Sequence, residues 1–373
     1  TNERTMWRSR FAHRYTPPQW ARLLPNIPTH RYELAHLPTP IMPWHVSELP
    51  GDVNLYIKRD DLTGSELSGN KVRKLEFLLY DAINSGADSV VTIGGIQSNH
   101  CRAVSAACSI LGLESHLILR TDDKHGGKLQ DPGFAGNLLL DRMFRSHLWL
   151  VSREEYQQYG SLKLLSMVEE KLRTRGKKPY LIPVGGSNWL GTWGYINAVA
   201  ELEMQLDKLE HRITDIVIAC GSAGSASGIA LGAALSQLNV KIHAFSVCDD
   251  PEYFYDFMDQ TIFGQNGKLK DFPHKSRDLL TITDAKGIGY AKSTTEELEF
   301  IQTIAATTGV ILDPVYSGKA MFGFLRKLHK HRKEFRGDNI LFIHTGGMLG
   351  LYDKVDELRQ VLNKDDPRVQ SLL

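Results

Sequence analysis

From residue 71 onward, apolar positions recur at helical spacing and then gather into short β-branched runs, and the two patterns alternate to the end of the chain. The first block predicts helices over 71–87, 98–112, 134–144 and 161–175, with strands over 89–93, 115–120, 147–151 and 180–184. A second block predicts helices over 192–209, 225–238, 295–309 and 318–332, with strands over 215–219, 240–247 and 339–345. The strands are apolar on both alternating positions, as expected when helices cover both faces of a parallel sheet. The fold class is therefore α/β. Two doubly wound parallel sheets sharing a cleft fit better than one very wide sheet, because a single core rarely grows past roughly 250–300 residues. Residues 1–70, interrupted by Pro17, Pro18, Pro25, Pro28, Pro38, Pro40 and Pro43, are not expected to form a domain and should pack against the second block. No repeat of fixed period is present.

Composition narrows the class further. A hydrophobic share of 42%, a charged share of 23% and a formal net charge of +1 describe a globular protein and argue against disorder or a polyanion-binding surface. No run approaches the roughly 20 apolar residues of a membrane-spanning helix. The first 24 residues are arginine-rich, lack the apolar centre of a secretory signal and do not begin with Met. They read either as the start of a trimmed chain or as what remains of an organelle-directed precursor, and the expected location is intracellular: cytoplasmic, mitochondrial or chloroplast. Cys101, Cys108, Cys220 and Cys248 form no CxxC or zinc-type spacing, which suits a reducing compartment. No metal motif or nucleic-acid motif appears, so neither partner is expected.

In open α/β sheets ligands sit beyond the carboxyl ends of the strands, so the loops leaving those strands are the places to look. Residues 221–228, GSAGSASG, follow a strand and open an apolar helix. Small residues and serine hydroxyls there suit a phosphate at a helix N-terminus, or simply close helix packing. Residues 94–100, GGIQSNH, place Ser98 as an N-cap whose neighbouring amides suit a carboxylate, or cap the helix and do no more. Lys71 opens a helix, where the dipole disfavours its charge; that makes it a candidate Schiff-base amine, with a solvated surface lysine as the alternative. Late in the chain, DPVYSGK at 313–319 and HTGG at 344–347 bring hydroxyls to element ends, and His344 reads as a structural histidine.

Taken in order, SGNKVRKLE, GGIQSNH, the Gly/Ser loop, DPVYSGKAM and HTGG resemble the fold-type II pyridoxal phosphate enzymes, in the branch of 1-aminocyclopropane-1-carboxylate (ACC) deaminase and D-cysteine desulfhydrase. The resemblance spans about residues 37–355 and is nearest to plant and algal members. It implies a fold like the tryptophan synthase β chain, a large cofactor-binding domain of residues 1–73 plus 186–373, an inserted small domain of 74–185, and a homodimer. It implies pyridoxal 5'-phosphate bound through Lys71. Asn99 would bond its phenolic oxygen, Ser222, Ala223, Gly224 and Ser225 would hold its phosphate, and Ser317 and Thr345 would stand near its ring nitrogen. Ser98, Asn99, His100, Tyr290 and Tyr316 would surround the substrate, with Lys71, Ser98 and Tyr316 in catalytic roles.

The resemblance further implies that ACC deaminases carry Glu and Leu where this chain has Ser317 and Thr345. A carboxylate at the ring nitrogen would strengthen the electron sink, as opening an unactivated cyclopropane demands; hydroxyls suffice where a thiolate leaves from Cβ. His100 points the same way, and elimination of D-cysteine to sulfide, pyruvate and ammonia is the expected reaction. ACC deamination to 2-ketobutyrate is the alternative. A dinucleotide-dependent oxidoreductase using the 221–228 loop is a rival of another class. Bacterial members have a tyrosine where Ile288 aligns, which leaves open whether Tyr290 takes its place.

Overall fold

The computed structural model describes residues 7–121, 124–125, 128–264, 274–362 and 372. Residues 1–6 of the arginine-rich leading segment lie outside them.

Strands β1 (Ile41–Pro43) and β2 (Asn54–Lys58) come from the leading segment, followed by helix α1 (Lys71–Asn84). The first block then runs β3 (Ser89–Gly95), α2 (Asn99–Leu111), β4 (Glu114–Arg120), α3 (Asn137–Met143), β5 (His147–Val151), α4 (Arg153–Arg173) and β6 (Pro179–Leu181). The second runs α5 (Trp189–Leu206), β7 (Asp215–Cys220), α6 (Gly224–Leu235), β8 (Lys241–Ser246), the short helix α7 (Pro251–Phe257), β9 (Thr281–Asp284), α8 (Thr295–Thr308), α9 (Ser317–Lys330) and β10 (Asn339–Ile343). Two sheets result. The smaller is wholly parallel in the order β6-β3-β4-β5; the larger has the order β9-β8-β7-β10-β2-β1, with only β1 antiparallel.

Both sheets are covered on both faces, as the apolar runs require. In β3, Val90 packs with Leu78 of α1 and Val104 of α2, while Val91 and Ile93 pack with Leu164, Leu165 and Val168 of α4. In β7, Ile216 and Ile218 join Ile196 and Ile229, whereas Val217 and Ala219 join Met321 and Phe324 of α9. Full burial of each such side chain contributes about 1.5–3 kcal/mol. The leading segment does pack against the second block, through β1 and β2, but Tyr32, Leu34 and Leu67 join the core between α1, α2 and the smaller sheet.

Close helix packing sets where α1 points. A Cβ on Gly194 would collide with the carbonyl of Arg73, and one on Gly232 would stand 2.7 Å from Cγ2 of Val199. Small residues thus let α5 lie against both α1 and α6, and bring the N-termini of α1 and α6 together. Behind α1 lies a buried charge network. Arg73 donates two bonds to Asp60 at 2.8 and 3.0 Å and reaches Glu201 at 3.0 Å; Lys58 also pairs with Glu201. Tyr195 and Thr39 donate to Asp60, each at 2.7 Å. Two cations face two carboxylates, all nearly inaccessible to solvent. Burial alone would raise the Asp60 carboxyl, but Arg73 and Lys58 outweigh it and pull it down to about 2.

The sequence expectations miss some elements. Strands β2 and β9 are short, and β2 ends in a lysine. Helix α4 begins at Arg153 rather than 161, with non-helical backbone at Gly160 (φ 72°), so a separate turn precedes the expected helix. Ser152 and Glu155 form a capping box there, a signal readable in the sequence as S-x-x-E.

Candidate active site

The carboxyl ends of β3 and β4 in one sheet and of β7, β8 and β10 in the other face a common cavity of about 210 Å³. Ten of the residues singled out from the sequence line it: Lys71, Ser98, Asn99, His100, Ser222, Ala223, Ser225, Tyr290, Tyr316 and Thr345. Gly224 sits just behind the wall, where a Cβ would stand 2.6 Å from Oγ of Ser187 and 2.7 Å from Nζ of Lys74.

Lys71 is the first residue of α1. The turn before it is tied across the cavity: the Asn70 amide donates to the Thr345 carbonyl at 3.1 Å and its side chain to Oγ of Ser225 at 3.1 Å. Gly69 adopts φ 99°, and a Cβ there would lie 2.7 Å from the Thr345 oxygen, so only glycine lets these strands of chain approach. Among the described residues, Nζ of Lys71 has no hydrogen-bond or ion-pair partner. Burial lowers its ammonium to about 8, so a sizeable neutral fraction exists near neutrality.

The phosphate-type loop is built by β7 turning into α6. Ala223 takes φ 62°, which turns the chain into the helix; the Gly224 amide donates to Oγ of Ser187 at 3.3 Å, and the Ser225 and Ala226 amides after it have no acceptor among the described residues. Beneath it lies Lys74, a residue the sequence reading passed over. Its amine donates to the Gly185 carbonyl at 2.8 Å and to Ser187 at 3.3 Å, and Ser187 in turn donates to Ser222 at 3.0 Å. Burial, and then Lys71, push the Lys74 ammonium far below its ordinary range. Two amines without a carboxylate partner among the described residues, the open Ser225 and Ala226 amides and serine hydroxyls together call for an anion of high charge; a phosphate fits.

Ser98 caps α2 by accepting from the Cys101 amide at 3.1 Å, and the Asn99 and His100 amides of the first turn remain without an intrahelical acceptor. Asn99 is held by Asn137, which donates to its Oδ1 at 3.0 Å; its own NH2 has no acceptor among the described residues. His100 is locked in one tautomer. Thr92 gives its proton to the Ile182 carbonyl, so Nε2 of His100 donates to Thr92 at 2.9 Å, and Nδ1 is left buried without a partner among the described residues. Burial, with Lys71 and Lys74 nearby, keeps this imidazole neutral.

Opposite stand two phenols. Tyr290 and Tyr316 share a hydrogen bond of 2.7 Å, and burial raises both hydroxyls. The Tyr316 ring lies against Gly221, where a Cβ would meet it at 2.7 Å. Ile288, in contrast, is 62% exposed, so Tyr290 is the residue of this loop that reaches the cavity.

One expectation fails. Ser317 does not line the cavity: its hydroxyl donates to Asp313 at 2.6 Å, and it opens α9 as a fully buried residue. Of the expected hydroxyl pair only Thr345 faces the site. His344 is structural, donating to the Ile311 carbonyl at 2.9 Å and accepting from the Gly346 amide. Arg120, Tyr156 and Asp249 also line the cavity and carry no local motif. A group of three ligand-type side chains, Glu114, His116 and His147, gathers at the other end of the smaller sheet; Lys177 occupies Glu114 and the Trp149 indole donates to Nδ1 of His116.

Comparison with known proteins agrees with this chemistry. The family model described as pyridoxal-phosphate dependent enzyme matches residues 32–346. A bifunctional D-cysteine desulfhydrase/1-aminocyclopropane-1-carboxylate deaminase of Arabidopsis thaliana, mitochondrial, is 54% identical over 350 residues, covering 93% of this chain and 86% of the relative. A D-cysteine desulfhydrase of Serratia proteamaculans is 36% identical over 312 residues, covering 80% and 88%. The crystal structure of an ACC deaminase homologue superposes with a TM-score of 0.75 at 32% identity, covering 93% of this chain and all of the other.

Proposed function

The chain belongs to the family of pyridoxal-phosphate dependent enzymes and is a lyase using that cofactor; on that premise we propose that its substrate is D-cysteine, converted with one water to sulfide, pyruvate and ammonia. The observation carrying the proposal is the Lys71 amine, unpartnered and lowered to about 8, set between an anion cradle and a phenol pair.

When bound, pyridoxal phosphate supplies an electrophilic carbonyl and a ring that accepts electrons from Cα. Lys71 is the residue to hold it covalently. The 222–225 loop, with Lys74 beneath, holds its phosphate, and the free NH2 of Asn99 suits its phenolic oxygen. Ser98 with the amides of Asn99 and His100 receives the substrate carboxylate. A lowered amine suits a base, and a phenol that keeps its proton is the donor left on the opposite wall. Once the substrate amine has displaced it, Nζ of Lys71 takes the Cα proton, and Tyr316, with Tyr290 donating to or accepting from it, gives a proton to the sulfur as the Cβ–S bond breaks with its electron pair. Thr345, a neutral hydroxyl, is the partner left for the ring nitrogen, which favours a substrate with a good leaving group. In this reading residues 1–73 with 186–373 form the larger, cofactor-holding domain and 74–185 the inserted one. A homodimer and an organellar location complete it.

ACC deamination is the second reading, favoured by the bifunctional Arabidopsis relative. The holoenzyme is assayed with D-cysteine, L-cysteine and ACC, measuring sulfide and 2-ketobutyrate. Sulfide from D-cysteine, exceeding that from L-cysteine, is expected; 2-ketobutyrate from ACC with no sulfide from D-cysteine overturns the assignment.

A further inference from the structure

Arg120 closes β4, its Cα paired in register with Gly95 of β3, three residues before the cap of α2. Its guanidinium is clasped by two rings, with its central carbon 5.0 Å from the centroid of Tyr156 and 5.7 Å from that of Tyr290. The three side chains line the cavity, and Arg120 is only half-exposed. Among the described residues no carboxylate lies within ion-pair distance of it, Asp249 included, and no carbonyl or hydroxyl accepts any of its five N–H groups.

A half-exposed guanidinium stacked on two rings is held in place by them, while water is the only partner left to its N–H groups among the described residues. Here aromatic faces hold the cation in place while its N–H fork stays free for something that enters the cavity. A planar fork matches a carboxylate in a two-bond contact far better than it matches a spherical anion. The strand register sets its Cα opposite Gly95, and Arg120, Asn99 and His100 line the same cavity.

We propose that Arg120 is a specificity-determining residue that receives the α-carboxylate of the incoming amino acid, together with the first-turn amides of α2. This deepens the lyase reading and rests on it. Lysine would keep the charge but lose the fork, so Arg120→Gln and Arg120→Lys separate charge from geometry.

The test uses wild-type holoenzyme and both variants, each checked for a retained yellow cofactor band. D-Alanine, an amino acid with no leaving group, and ethylamine, which lacks the carboxylate, are titrated while the cofactor absorbance is followed. Half-saturation by D-alanine is expected to rise about 10- to 100-fold in Arg120→Gln and less in Arg120→Lys, with ethylamine unchanged in all three. An unmoved D-alanine curve, equal weakening of both ligands, or a wild type silent to D-alanine overturns the assignment. So does loss of D-cysteine turnover with D-alanine binding intact, which would give Arg120 to the departing sulfide. Absence of sulfide from D-cysteine in the wild type, with D-alanine binding still Arg120-dependent, instead refutes the choice of substrate.

Discussion

Arg73→Met removes the centre of the buried network behind α1. Arg73 makes two bonds to Asp60 and reaches Glu201, and all three are almost fully buried. Without it, two carboxylates face Lys58 alone, and one buried negative charge is uncompensated. Breaking a buried pair in this way costs about 3–5 kcal/mol. The sign with pH follows from Asp60. Its folded-state carboxyl lies at about 2, below the ordinary 3.8, so the stability it contributes is present above pH 3.8 and is lost as pH falls through about 2. That contribution amounts to about 2 kcal/mol. In the variant, burial is opposed only by Lys58, and the contribution vanishes. Urea unfolding followed by far-ultraviolet circular dichroism should therefore show the full loss at pH 7, narrowing by about 1 kcal/mol toward pH 3. A loss under about 1 kcal/mol at pH 7, or parallel pH curves for the two proteins, would refute the reasoning.

Lys71→Ala should abolish the cofactor's visible band and all turnover while changing urea stability by less than about 1 kcal/mol, because the amine makes no bond to lose. Loading of the apoprotein with pyridoxal phosphate should quicken about tenfold from pH 6 to pH 7 and level off above the Lys71 value of about 8, as its neutral fraction fills; stopped-flow absorbance would expose a flat profile. Tyr316→Phe should cut D-cysteine turnover by about 100-fold with the visible band retained, and a near-normal rate would remove the phenol from the acid role. Gly232→Ala forces a methyl to within 2.7 Å of Val199 and should destabilise by about 1–3 kcal/mol in thermal unfolding; an unchanged midpoint would mean that α5 and α6 can part freely.

What the sequence made legible follows from where its signals are local. The runs at 89–93 and 215–219 read as strands because both faces are covered, leaving no polar alternation to confuse with a helix. Strand β2 was harder, since NLYIK ends in a lysine whose burial makes sense only beside Glu201. The loops at 94–100 and 221–228 were readable because amides at strand ends and helix starts are chemistry carried by the backbone. Arg120, Tyr156 and Lys74 were not, since each acquires its role from a neighbour at least 36 positions away: Tyr156 for Arg120, Tyr290 for the same guanidinium, Gly185 for Lys74. Ser317 illustrates the opposite failure. A motif placed it at the site, yet the Asp313 carboxylate four residues earlier captured its hydroxyl.

The opening turn of α1 carries three basic residues with three destinations: Lys71 toward the cavity, Arg73 toward Asp60 and Glu201, Lys74 beneath the Ser222 loop. At about 100° of rotation per residue, inserting one amino acid after Lys71 would swing each of the other two into its neighbour's place. The angular phase of this turn is thus as much a requirement of the chemistry as any side chain in it, and alterations to α1 should preserve spacing before identity.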